Sequence, residues 1–462
     1  MTASYDWSKL DNAARLFSAV SDVTSTNVFR FSALLYEEVS AEFLQKALEQ
    51  SLDDLPYFKM RLHKGIFWYY FEPNTEKPLV REEYSYPCAR IDKNTNNGYL
   101  FDLTYYGKYI HLDCFHALCD GTGATEFLKK IVANYMTIAH SDEVPESVRA
   151  VPDTTYSSEQ NEDSFLRFKN STDVKGKSFI RKRAYNLSSI LTQNGEIRVT
   201  KGIMSVQKLK EYAKSKNVSI TAVLTGVLIY SLYKEGFRYD PKKRPLDVCI
   251  PVNLRKFFKS ETIRNFFSTI DVRIDFYKQE HTLDEIIAIA AEQMAAEMTP
   301  EKIYPKIMYG VNAQENIFAR FVPLFLKRII LKITYDLGET GQTTAFSNLG
   351  VFKVAPEIEQ YIDRFEVLLN PTLKSRYKET CCSFNDKFVF AFTTNAESTN
   401  IQCRFFKTLR EIGIDAVISS NDHNAVAEIP NADKLKNPKK VKKAKEKIRK
   451  KEANANEILQ KL

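Results

Sequence analysis

The sequence predicts a two-lobed α/β protein, each lobe a mixed or mostly antiparallel sheet with helices packed on it. Three observations carry this expectation. Strand-like alternation and helix-like periodicity interleave along most of the 462 residues. A polar, acidic stretch with two prolines, residues 140–165, interrupts the pattern and reads as a linker or crossover. A hydrophobic share of 44%, with only 15 glycines and 16 prolines, excludes a fibrous or disordered body, and the length allows a large core. The expected organisation is an N-terminal lobe over 1–140, a linker over 141–195, a C-terminal lobe over 196–430 and a tail over 431–462.

Each element follows from local pattern. Residues 6–20 read as a helix, with Leu10, Ala13, Ala14 and Phe17 on one side. Residues 27–38 read as a strand. A helix follows to residue 52, with Ser40 as N-cap and Leu44, Ala47, Leu48 and Leu52 on its apolar face; Pro56 keeps it from running on. Residues 59–71 form a strand pair turning at Lys64 and Gly65, and 99–114 form another around Tyr106 and Gly107. Beyond the linker, 196–205 is a strand, 206–216 a helix, and 220–233 an almost wholly apolar, hence buried, helix. Residues 246–250 and 268–276 are strand-like, and 282–298 is a strong helix. The segment 321–335 is apolar but interrupted by Lys327, Arg328 and Lys332, too short and too charged to span a bilayer. It reads as a buried helix, with a place against a membrane or a lipophilic tunnel as the alternative. Strands over 364–369 and 380–395, the latter a hairpin at Asn385 and Asp386, precede a closing helix over 401–412.

The stretch 108–139 carries the chemistry. It begins as a strand, with Ile110, Leu112 and Cys114 on one face and Tyr109, His111 and Asp113 on the other. It ends as an amphipathic helix. Between them stand His116, Asp120, Gly121 and Gly123. An imidazole titrates near neutrality and can take a proton from a hydroxyl, amine or thiol. The glycines let the backbone turn tightly and approach a substrate. A core histidine bonded to a turn aspartate is the competing reading of these residues alone. His111 lies an odd number of residues from His116 and faces the other way, so it is discounted.

The whole segment FHALCDGTGATEFLKKIVANY, residues 115–135, resembles the active-site segment of the chloramphenicol-acetyltransferase-like acyltransferase superfamily. Within that superfamily the chain most resembles the bacterial alcohol acetyltransferase-like, condensation-like proteins. The segments PVNLR (251–255) and RNFF (264–267) resemble pieces of the same group, and SNLG (347–350) resembles a segment of dihydrolipoyl acyltransferases. The resemblance implies two lobes of this type with an active-site channel between them. It implies acyl transfer from a thioester, with acyl-CoA as co-substrate, to an alcohol or amine, with no permanently bound cofactor, no metal and no covalent intermediate. It makes His116 the general base, Asp120 the residue that shapes its loop through a pairing with Arg255, and Ser347 the oxyanion donor, with Gly121 and Asn348 at the substrate. A turn role for Ser347 and Asn348, and a surface or cofactor-phosphate role for Arg255, remain open. The peptide-synthetase branch carries two adjacent histidines where this chain has Phe115 and His116, which weakens a carrier-protein reading. That reading and a non-catalytic binding protein are the rivals.

The net charge of +8 is concentrated in the tail. Between Lys434 and Lys451 there are eleven lysines or arginines and one acid, leaving the rest of the chain at −2. A nearly neutral body argues against a nucleic-acid-binding fold. The tail is expected to be a solvated extension, or to be drawn to an acidic partner or anionic lipid. Seven scattered cysteines with no metal-ligand spacing, and no signal-like N-terminus, point to reduced thiols and a cytoplasmic protein. Two fused lobes supply both faces of one site, so a monomer suffices.

Overall fold

The computed structural model describes residues 7–150, 158–169, 182–187, 189–192, 196–237, 240–315 and 321–421; the Lys-rich tail lies outside them. The first part of the chain runs β1 (Ser8–Lys9), α1 (Asn12–Val20), β2 (Val28–Leu35), α2 (Ala41–Asp54), β3 (Met60–Lys64), β4 (Tyr69–Pro73), β5 (Val80–Glu82), β6 (Phe101–Tyr106), β7 (Tyr109–Phe115) and α3 (Gly121–Ala139). Ser40 caps α2 by accepting from the Phe43 N–H. Phe127 of α3 is fully buried and stacks on Phe58 at 4.0 Å; truncating such a side chain to Ala costs about 3–5 kcal/mol.

The remainder runs α4 (Ser164–Arg167), β8 (Arg198–Ser205), α5 (Val206–Ser215), α6 (Ile220–Ser231), β9 (Leu246–Asn253), β10 (Phe267–Ile274), α7 (Leu283–Glu297), α8 (Pro300–Glu315) and α9 (Leu324–Glu339). It continues with β11 (Thr344–Val351), α10 (Pro356–Glu359), β12 (Ile362–Leu369), β13 (Tyr377–Phe384), β14 (Lys387–Thr394), α11 (Asn400–Glu411) and β15 (Val417–Ser420). The almost wholly apolar α6 is buried nearly all round, packed between α7 and α11. Thr282 and Glu285 form a reciprocal capping box at the start of α7.

Among the described residues, the strands form three sheets. A seven-stranded mixed sheet has the order β10-β9-β11-β13-β14-β8-β15, with β11 parallel to both its neighbours. A five-stranded sheet has the order β12-β2-β7-β6-β5, and β1-β4-β3 form a small third sheet. The five-stranded sheet is not built from the N-terminal segment alone. β12, from far beyond the polar stretch, pairs antiparallel with β2, and Phe352, Ile358 and Phe365 enter the core beneath α2 and α3. In this way the free edge of β2 gains backbone partners.

The helix read from 321–335 forms, but it is not buried. Of α9, Leu324 and Lys327 are buried, while Phe325, Ile329, Ile330, Ile333 and Leu337 face outward. Its basic residues are held inward instead. Lys327 lies over the Trp68 ring at 3.7 Å, Arg328 donates to the Ala19 carbonyl and Lys332 pairs with Asp22.

Candidate active site at the lobe seam

β7 and α3 meet at the turn that holds His116 and Asp120. The His116 N–H donates to the Asn27 carbonyl at 2.8 Å, tying the turn to the start of β2. Asp120 Oδ1 accepts from the N–H groups of Thr122 at 3.0 Å and Gly123 at 3.1 Å, which starts α3. Its Oδ2 accepts from Arg255 Nη1 at 2.8 Å and from the Phe266 N–H at 2.9 Å. The carboxylate is therefore fully engaged in holding backbone and guanidinium.

Arg255 sits in a single turn, Leu254–Lys256, at the end of β9. Besides Asp120 it donates to the carbonyls of Thr262 at 2.8 Å and Arg264 at 2.7 Å. The loop 262–266 is folded around this one side chain, and the loop carries Asn265. Two further contacts bring α3 against this region. Asn253 donates to Thr122 Oγ1 at 3.0 Å, and α3 approaches the loop so closely that a Cβ on Gly123 would lie 2.1 Å from the Ile263 carbonyl oxygen.

Asn265 Oδ1 lies 3.1 Å from His116 Nδ1. The orientation of the amide follows from its other end, where Nδ2 faces Asp11 Oδ2 at 3.4 Å. A carbonyl oxygen only accepts, so Nδ1 carries the proton and Nε2 is the basic nitrogen. The ring is boxed by aromatic groups. Phe17 stacks on it at 4.3 Å, Phe29 meets it edge-on at 5.0 Å and Phe267 lies at 5.5 Å. Burial lowers the His116 pKa, with the charge of Asp120 and the Asn265 amide opposing, and the net direction is down. The imidazole is thus neutral at pH 7, yet the residue stays partly exposed. It is the protonation state a general base requires. Asp11, which also caps α1, is buried and its pKa is raised to about 6 by that burial, with Arg264 opposing.

The other expected residues distribute around this core. On β11, Leu349 fills the space a Cβ would take at Gly121, 2.7 Å away, and Ser347 lies two residues before it on the same strand, which is irregular beyond Asn348. Asn348 is engaged elsewhere: its amide donates to Thr221 Oγ1 at 2.9 Å and its oxygen accepts from the Gly350 N–H at 2.8 Å, where Gly350 adopts φ +76. His111 is buried and bonded to Ser32 Oγ at 2.8 Å, away from this site. Cys119 is held as a neutral thiol, its pKa raised by burial and by the neighbouring Cys114. Asn265, Phe29 and Phe267 had no assigned role from the sequence, and Phe17 was placed only on the apolar side of α1. The only signal was that Asn265 and Phe267 fall within the RNFF segment.

No family model and no curated protein matches the chain. Solved structures do. The trichothecene 15-O-acetyltransferase TRI3 from Fusarium sporotrichioides matches 89% of this chain and 97% of its own at 11% identity and a TM-score of 0.57. F. graminearum TRI101, in complex with coenzyme A and deoxynivalenol, matches 89% and 100% at 12% identity and a TM-score of 0.55. The starter condensation domain of rhizomide synthetase, as a mutant in complex with C8-CoA and Leu-SNAC, matches 88% and 94% at 12% identity and a TM-score of 0.53. The chain therefore shares the fold of these acetyltransferases and condensation domains.

Proposed function

We propose that the protein is an acyltransferase that moves an acyl group from an acyl-CoA thioester to a hydroxyl or amine acceptor. The observation that carries this reading is the His116–Asn265 contact, which leaves an unprotonated Nε2 on a partly exposed ring where the two halves of the chain meet. The fold's relatives support it, since TRI101 is seen with coenzyme A and the condensation domain with C8-CoA. In the proposed reaction the acceptor passes its proton to Nε2 as its oxygen or nitrogen attacks the thioester carbonyl. The imidazolium that forms is steadied by the Asp120 charge and the Asn265 carbonyl. The tetrahedral intermediate then expels the thiolate, which takes the proton back from Nε2. Ser347 is the proposed donor to the oxyanion, a contribution of about 2.7–4 kcal/mol where such a donor is prepositioned. No covalent enzyme intermediate is needed, consistent with the neutral thiol of Cys119.

The test is release of free thiol from acetyl-CoA in the presence of mixed alcohols and amines. His116→Ala should lower the rate about 10²–10⁴-fold with the far-UV circular dichroism unchanged. Ser347→Ala should lower kcat about 10²–10³-fold with KM little altered. Thiol release that survives in His116→Ala refutes the assignment. Release with no free thioester, but with a carrier-protein thioester, moves the donor to that class.

A further inference from the structure

We propose that the outward face of α9, with the tip of the β3–β4 hairpin, docks the protein on an anionic lipid bilayer. Phe325, Ile329, Ile333 and Leu337 recur at four-residue intervals and form one ridge, with Ile330 beside it. Ile329, Ile330 and Ile333 are 57%, 58% and 57% exposed. The hairpin tip extends the ridge, because the Leu324 N–H donates to the Ile66 carbonyl at 3.0 Å and Ile66 is itself 78% exposed. An apolar strip of this kind is unusual on a monomer's surface and marks an interaction site.

The exposure is enforced. In an ordinary surface helix the cations face water and the aliphatic residues face the core. Here Lys327 donates to the Phe67 carbonyl beneath the Trp68 ring, Arg328 to the Ala19 carbonyl, and Lys332 pairs with Asp22. Rotating the helix to bury its ridge would break all three contacts. Among the described residues no single helix is long and apolar enough to cross a membrane.

Charge selects the occupant. The segment from Lys434 to Lys451 carries +10 on an otherwise nearly neutral chain. Anionic headgroups reward that segment and the ridge together, one through Coulomb attraction and the other through apolar insertion; stable peripheral binding takes two such signals. A second copy on the same ridge would bring two +10 segments into one assembly, which opposes association. The docked face also lies near the chemistry. α9 packs on α1, whose Phe17 stacks on His116, and the Tyr335 hydroxyl donates to Asn27 at 3.3 Å. If the acyl-transfer reading holds, this placement favours a membrane-soluble acceptor or acyl chain.

The experiment is co-sedimentation of the full chain with phosphatidylcholine vesicles, with and without phosphatidylglycerol. The full chain should sediment with the anionic vesicles. Ile329→Glu together with Ile333→Glu, both exposed positions, should lower partitioning about tenfold or more. Lys439→Gln, Lys440→Gln, Lys442→Gln and Lys443→Gln together should weaken binding and reduce its salt sensitivity. Thiol release with a water-soluble acceptor should be unchanged in the isoleucine variant, so binding and catalysis are read separately. Three results would overturn the proposal: a full chain that stays in solution, an isoleucine variant that binds like the parent, or a dimer in sedimentation velocity that the variant dissolves without any vesicle binding.

Discussion

The ion pair between Asp120 and Arg255 should behave as the clasp between the two halves of the chain, and a double-mutant cycle measures it. The side chains are only 6% and 10% exposed, so the small value of a surface pair does not apply. Asp120→Asn keeps an N-cap for α3 but leaves a buried guanidinium without its anion, at a cost of about 3–5 kcal/mol. Arg255→Met leaves a buried carboxylate and also strips the Thr262 and Arg264 carbonyls of their donor, each worth about 1 kcal/mol or more. It should therefore be the more damaging single change. With both groups gone neither charge is stranded, so the double variant should cost less than the two singles combined, by on the order of 1–3 kcal/mol. Urea unfolding followed by fluorescence of Trp7 and Trp68 and by far-UV circular dichroism reads this, provided the two probes coincide. Acyl-transfer rate should fall about tenfold in either single variant, because Asn265 loses the loop that aims it at His116. Costs that add within about 0.5 kcal/mol would show that the pair is not a coupled clasp and refute the reasoning.

Three other outcomes are expected. A general base works only when unprotonated, so the acid limb of kcat/KM should lie below the usual imidazole value of about 6.5, and Asn265→Asp, which adds a negative charge beside Nδ1, should move that limb upward; an unmoved limb argues against His116 as the titrating base. Gly123→Ala should destabilise by about 3 kcal/mol and depress activity, since its methyl would meet the Ile263 backbone; urea denaturation matching the parent would contradict that packing. Glu379 is fully buried beside Thr344 and its pKa is raised to about 8 by burial, so its stabilising effect is complete below the unfolded value near 4.5 and is lost as pH rises through 8; Glu379→Gln should remove a stability decline on the order of 4 kcal/mol over that window, and an unchanged pH slope would count against it.

Much of the local architecture was legible. Ser40 caps its helix as its spacing predicts, by accepting from an N–H three residues on, a relation written in adjacent residues, and Asp120 and Thr282, which the sequence reading left without a cap role, do the same for α3 and α7. The hairpin at Asn385 was visible for the same reason, and Asn385 takes φ +51 there. The buried α6 followed from composition alone. The candidate site was only half legible. His116 and Asp120 stand within one turn, and the pairing of Asp120 with Arg255 could be reached only through resemblance. Nothing near His116 announces Asn265, whose oxygen arrives from 149 residues away. The orientation of α9 was misread because its apolar content suggested burial, whereas the contacts of Lys327, Arg328 and Lys332 decide which face turns out.

By itself the sequence determined the class of fold and the strand-to-helix turn that presents an imidazole, because both depend on residues close in the chain. Only the tertiary structure decided that β12 completes the first sheet, that Asn265 sets the tautomer of His116, and that α9 shows water its aliphatic side. Those outcomes depend on which of many chemically similar surfaces meet, and that choice is made by packing between segments a hundred or more residues apart.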